Sequence, residues 1–137
     1  MVEQFDNTFK TYADVIRFVA TKINVGDGWE GDYEYHPFSH GDVSKGFLEL
    51  MIPVADSRGR LLRGAAGNGP IFIFLYNRGA WSYCGEMHGA TITAETVEEN
   101  TAFVVYSHTS VRAGVERRYR LRGNTYECVA EQEIITD

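Results

Sequence analysis

The sequence predicts an α+β domain: one N-terminal helix packed on a mostly antiparallel, curved sheet or open barrel of about seven or eight strands. Three observations lead there. Residues 70–87 hold a strand that is apolar on both sides, with Ile71, Ile73 and Leu75 opposite Phe72, Phe74 and Tyr76. Such a strand needs cover on both faces, which puts it at the centre of a sheet. One helical stripe, Tyr12, Val15, Ile16, Val19 and Ile23, precedes every strand pattern. Finally, residues 115–131 read as a hairpin about Gly123-Asn124.

Taken in order, Thr11 is an N-cap with Asp14 three residues on, and Gly26 and Gly28 are the expected helix stop. Residues 28–36 alternate Trp29, Gly31, Tyr33 and Tyr35 with Glu30, Asp32, Glu34 and His36, a strand with one aromatic and one acidic face. Residues 37–45 form a loop carrying His40 and Asp42. The next strand, 46–55, buries Leu48, Leu50, Ile52 and Val54, and ends in the turn Asp56-Ser57-Arg58-Gly59. A glycine-rich loop at 64–69 leads into the central strand. After the turn at Asn77-Arg78-Gly79, regular alternation places Trp81, Tyr83 and Met87 on one side and Ser82, Cys84 and Glu86 on the other. Strands at 90–95 and 101–108 follow. In the last hairpin a type II′ turn pairs Leu121 with Tyr126 and Tyr119 with Cys128 on the core side, and Arg120 with Glu127 and Arg118 with Val129 outside.

The 137 residues are read as a single domain, and 44% apolar content marks it as globular. No apolar run approaches the ~18 residues of a membrane span. The opening residues lack the basic and apolar parts of a signal peptide, so the expected location is cytoplasmic, or periplasmic or secreted if a signal peptide has been removed. Cys84 and Cys128 fit either two separate thiols or one disulfide. The absence of C-x-x-C argues against zinc, and no cofactor is called for.

Several clusters carry possible chemistry. His36, His40 and Asp42 suggest a metal enzyme or hydrolase, but Pro37 and Gly41 exclude a helical His-x-x-x-His site. The 64–69 loop lacks the Gly-Lys-Ser/Thr of a phosphate loop. No G-x-S-x-G elbow is present for Ser107 or His108 to complete. Arg112, Arg117, Arg118, Arg120 and Arg122 make a basic ridge beside tyrosines. The net charge of −6 weighs against nucleic acid, and an acidic protein surface is the better partner for the ridge because arginine and tyrosine are favoured interface anchors. The 2 Trp, 8 Tyr and 8 Phe allow an aromatic-lined cavity for an apolar small ligand.

The stretches FIFLYNRGAWSY, VVYSH and YRLRGNTYECV, the last with a Y-x-x-x-G-x-x-Y hairpin, resemble small bacterial secreted β-domains such as invertebrate-type lysozyme inhibitors. The D-x-D-x-D-G calcium loops of some relatives are absent. The resemblance implies a protein that binds through its loops, of inhibitor or immunity type. The resulting expectation is a non-enzymatic protein-binding module. Its contacts would be Arg112, Arg117, Arg118, Arg120 and Arg122, with Tyr119, Ser107 and His108 beside them. The alternatives are a small-ligand carrier with an aromatic cavity, and an enzyme using His36, His40 and Asp42. An exposed strand edge would also permit a homodimer.

Overall fold

A computed structural model of the chain describes residues 8–25, 33–39, 46–64, 67–97 and 100–135, with backbone alone for 36–39. The elements are β1 (Thr8–Phe9), α1 (Tyr12–Lys22), β2 (Tyr33–Ser39), β3 (Phe47–Pro53), β4 (Gly69–Asn77), β5 (Ala80–Gly89), β6 (Thr91–Val97), β7 (Asn100–His108), β8 (Ala113–Arg122) and β9 (Thr125–Ile135). They form a five-stranded sheet in the order β1-β5-β4-β3-β2 and a four-stranded sheet in the order β6-β7-β8-β9. All pairings are antiparallel. The class is therefore α+β with one helix, and the described strands number nine, the additional one being the two-residue β1.

The central strand is β4, as its two apolar faces require. Ile71 and Ile73 join Leu48, Leu50 and Ile52 of β3 in a core shared with Phe103, Val105, Tyr119 and Tyr126 of the second sheet. Phe72 and Phe74 point the other way, into a separate core with Met51 and the helix residues Val15, Val19 and Ala20. Helix α1 thus packs on the outer face of the first sheet. Its N-terminus is capped as expected: the Thr11 hydroxyl accepts from the Asp14 N–H at 3.2 Å. Its C-terminus comes earlier than Gly26. The Ile23 N–H closes the last turn onto the Val19 carbonyl, and Asn24 takes a left-handed conformation at φ 60°.

Two bulges change which residues face inward. Ile73 pairs with Gly85 and Phe74 with Tyr83, so Cys84 is an extra residue in β5. Trp81 and Tyr83 keep the helix side. Met87 does not share it, contrary to simple alternation, because the bulge moves it to the inner core beside Cys84. A Cβ on Gly85 would stand 3.1 Å from the Tyr126 carbonyl oxygen, so glycine permits close passage of β9. In the final hairpin Gly123, at φ 66°, fits a type II′ turn. Leu121–Tyr126, Tyr119–Cys128 and Arg120–Glu127 pair as expected, but Arg118 faces Ala130 because Val129 is bulged. Cys128 is exposed rather than inside. The inward position belongs to Tyr126, whose hydroxyl donates to the Thr101 carbonyl at 2.7 Å.

The strand β2 runs to Ser39, through the expected loop, and includes Pro37. β2 is an edge strand, the place in a sheet where proline is tolerated, since a nitrogen facing outward there has no ladder bond to lose. Arg63 fastens the far end of the fold. Its guanidinium donates to the carbonyls of Gly67 (2.8 Å), Pro53 (3.3 Å), Pro70 (3.1 Å), Gly69 (3.4 Å) and Gly89. Asn68 then joins the two sheets, donating to the His108 carbonyl at 2.7 Å and accepting its N–H at 3.0 Å.

Replacing Arg63 by Met strands several half-buried carbonyls and is expected to cost about 3 kcal/mol, a fall of roughly 10 °C in melting temperature. Arg63→Lys should recover little of it, since an ammonium lacks the planar fork. A melt matching wild type for either variant would contradict this role. The thiols give a second test. Both are free, and burial pushes the Cys84 thiol up to about 11. In native protein a thiol reagent should modify Cys128 alone, with Cys84 reacting only in denaturant.

Candidate functional site

The basic ridge divides when placed on β8. Arg118, Arg120 and Arg122 alternate onto the outward side, whereas Arg117 falls on the side of Tyr119. Arg112 sits in the turn between β7 and β8. Arg118 is held by the chain's own acids, at 3.0 Å from Glu95 and 3.6 Å from Glu116. Arg117 donates to the Ser107 hydroxyl at 3.2 Å and lies 3.7 Å from Glu131. Tyr119 and Ser107 are buried, which removes them from any contact surface. Ser107 instead donates to the His88 carbonyl at 3.2 Å, and Tyr119 belongs to the inner core. His108 is exposed, edge-on to Tyr106. So the structure does not assemble these residues into one surface.

His40 and Asp42 lie outside the described residues, as does the side chain of His36. Among the described residues no three of His, Cys, Asp and Glu converge as a metal site would require.

A different site is built at the N-terminal end of α1. Tyr12 opens the helix, and Tyr33 and Tyr35 project from the edge strand β2 on its helix-facing side, because they pair with Pro53 and Met51. These three tyrosines wall an open groove of about 420 Å³, a volume within the roughly 300–1,000 Å³ of small-molecule sites. The Tyr12 ring stands 6.3 Å from Tyr33, 5.9 Å from Tyr35 at 86°, and 5.7 Å from Trp81. Trp81 in turn packs 4.6 Å from Tyr76. Beneath lies a layer of Val15, Glu49, Met51, Phe74 and Trp81 too tight for a water molecule.

The chain matches no protein-family model, no curated protein and no solved structure.

Glu49 is the unusual member of that layer. It faces Phe74 across the β3–β4 ladder and is only 9% exposed. Its carboxylate accepts from the Trp81 indole N–H at 2.7 Å and from the Tyr35 hydroxyl. Burial, the bond to Glu49 and its charge push the Tyr35 phenol up. Tyr12 is raised by burial first, then by its hydrogen bond to Tyr33. The phenols therefore stay neutral hydrogen-bond donors at ordinary pH. Only part of this was legible in the sequence. Tyr33 and Tyr35 stand out as an aromatic face, but alternation puts Glu49 opposite the buried face of Leu48, Leu50, Ile52 and Val54, a side for which the sequence specifies no cover. The available signal was the acid itself, set inside the apolar run Phe47–Pro53.

A second, polar cleft lies between the helix end and the 56–60 turn. Its carboxylate, Asp56, is occupied by the N–H groups of Arg58 (2.9 Å) and Arg60 (2.8 Å).

The raised tyrosines bear on alkaline stability. The folded values of Tyr12 and Tyr35 lie above the ordinary 10, as does that of Tyr126, raised first by burial. The folded state thus holds more protons above pH 10, and the stability these groups contribute is full below that pH and lost as pH rises through the folded values. An alkaline titration should show part of the phenolate absorbance delayed past pH 10 and appearing together with loss of the folded circular-dichroism signal. Full ionisation near pH 10 in folded protein would contradict it.

Proposed function

We propose that the chain is a non-enzymatic ligand-binding domain that takes a small organic molecule in the groove of Tyr12, Tyr33 and Tyr35. The observation that carries this reading is the open aromatic groove itself, set over a layer that cannot hold water. Tyrosines supply large rigid faces at small entropic cost, with hydroxyls for orientation. Tyr33 and Tyr35 are 37% and 43% exposed, much for such side chains, and together with Tyr12 they make a concave patch rather than scattered single residues.

This keeps the binding role expected from the sequence and moves it from the arginine ridge to the opposite sheet. The ridge is the weaker surface for an acidic partner because Arg118 already pairs with Glu95 and Glu116.

The test is the content of the groove. Protein purified from its source should release a small molecule on denaturation, seen by mass spectrometry. Tyr33→Ala, an exposed change with little effect on melting, should lose most of it, while Arg118→Glu/Arg120→Glu should retain it. A molecule retained equally by Tyr33→Ala, or an empty wild-type protein that also binds no member of a small-molecule panel, would sink the reading.

A further inference from the structure

The buried carboxylate under the groove narrows the chemistry of its ligand. Glu49 is nine-tenths buried and its two observed partners, the Trp81 indole and the Tyr35 hydroxyl, are neutral. No ion pair among the described residues involves it. Two neutral donors orient such a charge but do not neutralise it, and a carboxylate removed from water without a cation is costly. Its field also reaches the groove wall, since it acts on both Tyr35 and Tyr12.

The same sheet face shows how the chain treats its other aromatic cluster. At the far end of α1, Lys22 lies over the rings of Phe18 (5.7 Å) and Tyr83 (5.6 Å). There an ammonium already sits on the aromatic faces. At the Tyr12 end, among the described residues, no lysine or arginine takes the corresponding place over Tyr12 or Tyr35. That end has the open volume and a carboxylate with no ion pair among the described residues.

Resting on the groove reading above, we infer that the ligand is a free small molecule bearing an alkylated ammonium head, held against the tyrosine faces with Glu49 supplying the opposing charge. Ring quadrupoles favour a cation over their faces, and their attraction grows where water is excluded. An alkylated ammonium suits this site better than a bare one. Its methyl groups fill an apolar groove, and it needs no hydrogen-bond acceptors that neutral phenols held in their own bonds would have to provide. The net charge of −6 attracts such a cation at longer range.

Calorimetric titration of the full chain with choline and with 3,3-dimethylbutan-1-ol, its neutral analogue of the same shape, tests the inference. Choline should bind at least about tenfold more tightly than the alcohol. Glu49→Gln should remove most of that difference while leaving alcohol binding unchanged, and Tyr33→Ala should weaken both ligands. Should Glu49→Gln fail to fold, the wild-type comparison and Tyr33→Ala decide alone. Equal affinity for choline and the alcohol would overturn the cation assignment and leave the groove reading intact. Failure of choline to bind overturns it as well, and the groove reading is then judged by the co-purified molecule. A trimethyllysine peptide bound much more tightly than choline would overturn the small-molecule source.

Discussion

The architecture depends on one constraint, the burial of β4 on both faces. Ile71 and Ile73 are fully enclosed on one side, Phe72 and Phe74 on the other. Neither side can be left in water, because each large side chain withdrawn from solvent stabilises the fold by about 1.5–3 kcal/mol. The second sheet covers the first face and helix α1 covers the second. The three layers are therefore the cover demanded by one nine-residue strand. The flanking strands inherit their orientation from it, and Leu48, Leu50 and Ile52 line up with the inner pair while Glu49 and Met51 line up with the outer.

That inheritance explains how far the sequence could be read. The helix, its Thr11 cap, the central strand and the register of the last turn follow from local rules, and local rules appear in sequence. The two bulges do not. Cys84 and Val129 break a period of two without any distinctive residue at the break, apart from Gly85 next to the first. The first bulge goes with a contact across the core: β5 passes close to β9 where Gly85 meets the Tyr126 backbone. A single strand carries no record of that approach. Alternation consequently assigns Met87, which lies beyond an inserted residue, to the wrong face, whereas Cys128 keeps its expected pairing with Tyr119 and is simply left exposed.

The sites show the same division. A run of arginines is conspicuous in a sequence, yet its meaning depends on what stands across the ladder. Glu95 and Glu116 turn Arg118 from a free charge into a member of a surface network. Arg117 turns inward to Ser107 and contributes nothing to a common surface with its neighbour. The groove has the opposite history. Tyr12, Glu49 and Trp81 come from the helix, β3 and β5, so no local window contains them together. Likewise, the five carbonyls on Arg63 come from three separate stretches of chain and are invisible until those stretches meet.

The position of the groove follows from a mismatch in size between the helix and the sheet it covers. The 11 residues of α1 reach about 16 Å, while five strands at roughly 4.8 Å spacing present a face nearer 19 Å across and longer along the strands. One short helix cannot close that face. Its later turns lie over Phe74 and Tyr83 and shut that part with Phe18. Its first residue, Tyr12, reaches toward β2, the edge strand, where cover runs out. Residues at such a rim must be apolar in body and tolerant of water at the tip, which describes tyrosine better than phenylalanine. The buried acid Glu49 sits at this corner, under the rim where the cover of the sheet ends.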